Sequence, residues 1–410
     1  MPMNHHVLAK VTTDAVLQNF KTGKWQCAGN SGANFYRCGV SADFPSPDAA
    51  FYDPTLKTLV SFEFKPPTES KRGILTGVGQ ALAYLQSSNV SFLVAPDRLQ
   101  DFDLSSFLTN LFQKQIQGKL SAGLIIYNCN NPSLVSMPVS VLKPSAVKIL
   151  APRSDRFWAK HQDLPVPLFH LILHYYYLKK VGQFSGDAFT EFWNTRMVSP
   201  NILSTFKPIK VFDIDGVVIK TLSGKKDFMQ CEKILSRSSK MPTAQRIVYI
   251  QSEINTGSSK DNLYNSIRKN YVTFLKHLQM IDSNGDLTES GFAMYNLGVI
   301  NGPSSKMFYD YFMKEILTSG HHLDLILDFD ALKQKNPSSS VSDILELMEA
   351  DYTNRGMIKK NPNRVAPGKS SKVGFLKYER ILWNALGLVS NDGLIDWKKI
   401  TEVCSLPDLY

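Results

Sequence analysis

The sequence predicts an α/β domain, a mixed central sheet flanked by helices, followed by a mainly helical region. Three observations predict it. Helix-like and strand-like runs alternate over residues 1–150. From about residue 155 aromatic-rich helical runs dominate. Between the two lies NPSLVSMPVSVLKPSAVKILAPRS, whose Pro and Ser content reads as a boundary or an extended connection. A chain of 410 residues suggests two or three domains, drawn here at 1–150, 151–300 and 301–410.

The elements follow in order. TDAVLQNF reads as a helix. DAAFY and LKTLVSFEFK read as strands flanking the turn signal DPT. TGVGQALAYLQ reads as a helix, VSFLVAP as a buried strand, LSSFLTNLFQKQIQ as a helix and AGLIIYN as a strand. Further on, RFWAKHQDLPVPLFHLILHYYYLKK and DAFTEFWNTRM are aromatic-rich helices, and IKVFDIDGVVIKT is a hairpin around Asp215-Gly216. NLYNSIRKNYVTFLKHLQMI is a long helix ending at DSNGDLTESG, with helix continuing to about residue 350. ERILWNALGLVSNDGLIDWKKI repeats the helix-then-turn shape. No fixed period indicates a solenoid.

Lys and Arg outnumber Asp and Glu by 46 to 36, a net charge of +10, which favours an anionic partner such as nucleic acid or a membrane surface. The first residues, MPMNHHVLAK, lack the apolar core of a secretory signal, and VPLFHLILHYYYL is too short and polar to span a bilayer. Cys27, Cys38, Cys129, Cys231 and Cys404 are odd in number and widely spaced, with no CxxC pair. They read as buried thiols in a reducing, intracellular compartment.

The stretch SPDAAFYDPTLKTLVSFEFKPP carries the chemistry. Asp53-Pro54 suits the first two positions of a type I turn. A turn centred between Pro54 and Thr55 sets Asp48 opposite Ser61. Glu63 and Lys65 then follow on the same face, while Val60, Phe62 and Phe64 form an apolar opposite face. At a diagonal separation of roughly 7–8 Å, Asp48 and Glu63 can converge on one cation. Asp48, Glu63 and the Phe64 carbonyl are hard oxygen donors of the kind Mg²⁺ takes while keeping several waters. Lys65 could orient such a water or stabilise charge developing at phosphorus. A hairpin with a solvated charged rim is the plain alternative.

Pro47-Asp48 and Glu63-Phe64-Lys65, joined by a hairpin, resemble the PD-(D/E)xK nuclease superfamily, which includes most type II restriction endonucleases. Gln80-Ala81-Leu82-Ala83-Tyr84 is similar to the QxxxY helix of several exonuclease branches. The resemblance covers about residues 10–130. It implies an α/β nuclease domain and a metal-dependent DNA endonuclease of the restriction type. Asp48, Glu63 and Lys65 would be catalytic, one or two Mg²⁺ ions would sit on Asp48, Glu63 and Phe64, and Gln80 and Tyr84 would support them. It further implies double-stranded DNA as substrate, a homodimer for duplex cleavage, no membrane, and a cytoplasmic, bacterial setting. Many members carry an acid on an upstream helix. No Glu precedes Glu63 here; Asp14 is the best candidate, although a helix N-cap explains it as well. Asp43 is a weaker alternative to Asp48, and Asp53 belongs to the turn.

NSIRKNYVTFLKHLQMIDSNGDLTESG resembles the recognition helix and wing of winged-helix domains, with Val272, Leu275 and Leu278 as its core stripe. Ser266, Arg268, Lys269, Asn270 and Thr273 would lie at or near the DNA-facing side. A helical scaffold with a solvated basic face is the alternative. ERILWNALGLVSNDGLIDWKK looks like a second such unit. Arg355, Lys359, Lys360, Arg364, Lys369, Lys372, Lys377 and Arg380 face only Glu379, a local net charge of about +7 suited to a phosphate backbone or to a solvated loop. VFDIDGVVIKT looks like a haloacid-dehalogenase phosphatase signature with Asp213 as nucleophile; a type I′ hairpin is the simpler reading. The LDLILDFD run fits an amphipathic helix or strand as readily as a metal site. His321-His322 reads as a surface or cap pair.

Overall fold

The computed structural model describes residues 5–40, 43–147, 156–160, 165–198, 201–257, 262–358 and 375–409. In chain order the first elements are α1 (His5–Lys21), β1 (Tyr36–Cys38), β2 (Ala49–Asp53), β3 (Thr58–Phe64), α2 (Lys71–Ala83) and β4 (Val90–Pro96). A two-residue hairpin, β5 (Arg98–Leu99) and β6 (Phe102–Asp103), precedes α3 (Leu104–Gln115), β7 (Ala122–Asn128) and β8 (Asn131–Val139). There follow α4 (Val166–Lys180), α5 (Ala188–Phe192), α6 (Ile202–Thr205), β9 (Ile209–Lys210), β10 (Met229–Gln230), α7 (Glu232–Arg237), α8 (Thr243–Ile254) and α9 (Leu263–His277). The remaining helices are α10 (Glu289–Asn301), α11 (Lys306–Leu317), α12 (His322–Lys335), α13 (Val341–Arg355), α14 (Lys377–Ala385) and α15 (Trp397–Cys404).

The chain groups into two units, one of Met1–Trp158 with Leu323–Phe375, the other of Ala159–His322 with Leu376–Tyr410. This differs from a division at 150 and 300: the third expected region is shared between the units. Ion pairs explain the return of 323–375 to the first unit. Asp328 binds Lys10 at 2.7 Å, Asp324 binds Arg37 at 2.8 Å, and Arg355 binds Asp14 at 2.7 Å. Trp158, Tyr352 and Phe375 pack their rings together beside them.

In the first unit a six-stranded mixed sheet runs in the order β1-β2-β3-β4-β7-β8. β3, β4 and β7 are parallel, joined through α2 and α3, and the outer strands are antiparallel. Parallel strands are normally covered on both faces. Accordingly Phe62 stacks on Phe92 and meets Phe51 on one face, where Phe92 also touches Phe20 of α1. On the other face Leu93 and Ala95 join Ile74 and Ala81 of α2 and Leu108 of α3. Glu63 pairs with Leu93 and therefore lies on this second, helix-covered face rather than on a solvated rim. The Pro- and Ser-rich connection begins as β8, an edge strand holding Pro132 and Pro138, which suits a position with few ladder partners.

The second unit is mainly helical, and one hydrogen-bonded turn recurs in it three times. Asp213, Asp282 and Ser390 each donate their amide to the carbonyl four residues on, at 2.9 Å. Each also accepts that residue's amide on its side-chain oxygen, at 2.8–2.9 Å. A glycine one residue before the partner takes φ of +79° or +80° in each copy, a left-handed conformation other residues resist. This is the physical content of DIDGV, DSNGD and SNDGL. Only Gly216 of the 213–217 turn has positive φ, so that hairpin is not type I′, which needs two such residues.

One further sequence reading changes and one that was open is resolved. His322 is fully buried, accepting from the Trp383 indole at 2.8 Å on Nδ1 and lying 2.6 Å from the Ala159 carbonyl through Nε2, so it is neither a surface nor a capping group. LDLILDFD is helical, and its Asp324 and Asp328 serve the ion pairs above. Among the described residues no helix is long and apolar enough to cross a membrane.

Candidate active site

The β2–β3 hairpin sets the geometry. Ala50 pairs with Ser61 and Asp53 with Thr58, leaving Pro54, Thr55, Leu56 and Lys57 as the loop. Asp53 shapes it: its Oδ1 accepts the amides of Thr55 and Leu56 at 2.8 and 3.1 Å, while Oδ2 takes the Asn30 amide group. Lys57 closes the loop at φ +53°. The centre therefore lies one position later than a Pro54–Thr55 turn would place it. A one-position shift of centre moves the register by two residues and preserves the face. Asp48, just before the last paired residue Ala49, consequently lies beside Phe62–Phe64 rather than opposite Ser61. Its amide donates to the Phe62 carbonyl at 3.0 Å, and its Oδ2 accepts the Phe64 amide at 2.7 Å.

Glu63 is 3% exposed, and both its oxygens are engaged. Lys65 Nζ lies 2.8 Å from Oε1, and the Tyr84 hydroxyl donates to Oε2. Lys65 also donates to Gln80 Oε1 at 3.0 Å, and Tyr84 reaches the Ser46 carbonyl at 3.0 Å. Gln80 lies in α2, and Tyr84 caps that helix at its C-terminus, one turn on. Asp48, Glu63, Lys65, Gln80 and Tyr84 thus come together at the carboxyl end of the parallel strands. Beyond Lys65, Pro96 offers no amide hydrogen to the ladder, and the Tyr127 hydroxyl donates to the Lys65 carbonyl at 2.8 Å instead.

Burial raises the Glu63 carboxyl to about 7, with the Asp48 charge adding to the effect and Lys65 and Tyr84 opposing it. Desolvation likewise raises Asp48, opposed by the Phe64 amide and Lys65. Two neighbouring carboxylates in a poorly solvated strand end favour holding one proton between them as a pair until a cation replaces it.

Two neighbours escaped the sequence reading. Gly77 of α2 lies against the Lys65 stem: a Cβ there would stand 2.5 Å from Lys65 Cε. Nothing in TGVGQALAY distinguishes this glycine from Gly79, which has open space. Burial, and after it the nearby Lys65 charge, lower the pKa of His5 at the start of α1 against the opposing Glu63 and Glu69 charges, and its buried Nδ1 has no hydrogen-bond partner. It lies 58 positions before Glu63, and only tertiary packing unites them. Asp14, by contrast, is mid-helix, bound to Lys10 and Arg355, and is neither an N-cap nor part of this cluster.

Gly77→Ala should preserve the fold and break the Lys65–Glu63 ion pair, because Lys65 must swing away from Glu63 to clear the new methyl; a changed Glu63 titration in carboxyl-selective NMR would report it. The control is Gly79→Ala, expected to titrate as the parent does.

The other site residues divide. Ser266, Lys269, Asn270 and Thr273 lie along one side of α9, Ser266 and Lys269 being exposed. Arg268 turns elsewhere: its guanidinium binds Asp187, the N-cap of α5, at 2.9 Å, which makes it part of the scaffold. The apolar side of α9 is carried by Tyr264, Tyr271, Phe274 and Leu275. Lys359, Lys360, Arg364, Lys369 and Lys372 lie outside the described residues. Asp213 is committed to its turn through both Asp215 and Val217 amides, in a small antiparallel hairpin rather than at the end of a parallel strand.

No protein-family model matches the chain, and no curated protein is significantly similar to it in sequence. Among the described residues no group of three or more His, Cys, Asp or Glu side chains is gathered to hold a metal. The side-chain oxygen donors at the strand end are the carboxylates of Asp48 and Glu63. That set fits Mg²⁺, which keeps waters and takes one or two protein carboxylates, better than it fits zinc.

Proposed function

We propose that this chain is a Mg²⁺-dependent DNA endonuclease of the restriction type, with a PD-(D/E)xK-like domain in the first unit and winged-helix-like DNA-binding elements in the second. The observation that carries the reading is the convergence of Asp48, Glu63, Lys65, Gln80 and Tyr84 on one strand end. An ordinary core would leave two neighbouring carboxylates and an ammonium there without purpose, since burying such groups costs stability.

Asp48, Glu63 and the Phe64 carbonyl would hold the ion. Bound Mg²⁺ would supply an acidified water and a counter-charge for the phosphate. Glu63 and Asp48 must give up their shared proton for that role. Lys65 keeps Glu63 aligned beforehand and carries the positive charge that meets the phosphate oxygen. Gln80 and Tyr84 fix the positions of Lys65 and Glu63 through α2. One such site cuts one strand, so duplex cleavage calls for a homodimer or two successive events. The excess of basic residues and the side of α9 bearing Ser266, Lys269, Asn270 and Thr273 support DNA as the partner.

Incubation with supercoiled plasmid, with Mg²⁺ or with EDTA, tests the reading. Mg²⁺-dependent linear or nicked product at discrete positions is the expected result. Stable binding with intact plasmid would replace the nuclease with a DNA-binding regulator. Cleavage insensitive to base methylation would favour a repair or transposition nuclease.

A further inference from the structure

Residues 209–230 form a small platform, a two-residue antiparallel ladder extended by two single bridges, that the proposed cleavage site does not use. Lys210 pairs with Met229, Phe212 with Val218, and Lys220 with Asp227. Directly opposed residues share a face, so these six side chains form one face and Val211 and Ile219 the other. Burial follows that alternation: Val211 and Ile219 are 1% and 2% exposed, whereas Phe212 is 40% exposed. Lys210 and Lys220 lie exposed on the same face as Phe212. Lys210 is balanced by Asp227 at 2.8 Å. Lys220, Lys225 and Lys226 have no ion-pair partner among the described residues, and the last two stand at the exposed 221–226 tip. The acidic turn with Asp213 and Asp215 is at the opposite end of the platform.

An exposed aromatic ring flanked by lysines has a specific use. The ring offers a flat face to an unstacked base, and the ammonium groups follow the phosphates. Bases in an intact duplex are already stacked and cannot take such a ring. We propose that this platform binds single-stranded DNA, with Phe212 stacking on a base and Lys220, Lys225 and Lys226 contacting phosphates. The proposal goes beyond the cleavage reading and does not depend on it, because it concerns strand binding without Mg²⁺.

The test is fluorescence anisotropy in EDTA with labelled dT20, an abasic strand of the same length, and a 20-base-pair duplex. The full chain should prefer dT20 to the abasic strand. Phe212→Ala and Phe212→Leu should both weaken dT20 binding about tenfold, erase that preference and leave duplex binding unchanged; Phe212→Trp should retain it. Replacing Lys220, Lys225 and Lys226 together by Ala should lower the salt dependence on dT20 by about two units of log–log slope. The proposal is overturned if the parent chain does not bind dT20, if Phe212→Leu binds like the parent, or if the losses on duplex and single strand are equal. Circular dichroism of each variant separates misfolding from lost binding. Plasmid cleavage is scored separately, so failure of the nuclease reading leaves this result interpretable.

Discussion

Lys65→Ala should abolish plasmid cleavage while leaving DNA affinity within about twofold of the parent. The ammonium touches Glu63 and Gln80, both in the first unit, whereas the proposed DNA contacts of α9 are made by other side chains. Removing one preorganised group aimed at developing charge costs about 10²–10³ in rate. Lys65→Arg should not rescue it. The larger guanidinium would have to fit where the lysine stem already lies too close to Gly77 to admit even a methyl, and its fork cannot hold Glu63 and Gln80 as a single point charge does. Gel assays over a range of Mg²⁺ concentrations distinguish a chemical role from a metal-holding one. A variant that cleaves normally at high Mg²⁺ would assign Lys65 to ordering Glu63 alone. Parent-like cleavage at all concentrations would remove Lys65 from the mechanism.

Local pattern was readable wherever it was set by neighbouring residues. VSFLVAP and AGLIIYN match their strands residue for residue, because continuous apolar runs are what strands buried on both faces require. The membership of the cluster was readable: period-2 alternation puts Glu63 and Lys65 on one face of β3, and the DPT turn brings Asp48 back to that strand end. Its register was not readable, because the loop is fixed by Asp53 accepting two amides and by the left-handed Lys57, neither of which is evident from DPTLK. Nor was the second covered face of β3. Glu63 and Lys65 read as a rim, and only α2, through Gly77, Gln80 and Tyr84, turns that face into an enclosed site. Long-range pairings were silent in the sequence. Asp14 could not be told from a metal ligand or a cap without Arg355, which lies 341 residues away. His322 carries no sequence mark of its burial against Trp383.

Without metal, the unfolding transition of the first unit should shift to lower temperature as pH rises from about 5 to 8, and Mg²⁺ should reverse that shift. The sign follows from Glu63 and Asp48, whose folded carboxyls are raised above their unfolded values by burial, with the Asp48 charge adding to the rise of Glu63. The folded state therefore holds more protons than the unfolded chain. The stability tied to that proton is full below the unfolded carboxyl range and is lost as pH rises through about 7. A shift of one pKa unit corresponds to about 1.4 kcal/mol, so the effect is on the order of 2 kcal/mol and a few degrees in melting temperature. Mg²⁺ binds the deprotonated pair, so its stabilisation should grow with pH over the same interval. Glu63→Gln removes the repulsion, keeps one acceptor oxygen for Lys65 and turns its NH2 towards the Tyr84 hydroxyl, which can still donate to the Ser46 carbonyl. It should melt higher than the parent in EDTA at pH 8, respond little to Mg²⁺, and fail to cleave DNA. Calorimetry at pH 5, 6.5 and 8, with EDTA or Mg²⁺, reads all of these outcomes. If the parent's melting temperature is flat with pH and indifferent to Mg²⁺, Asp48 and Glu63 are not a shared-proton metal site, even if the chain binds DNA.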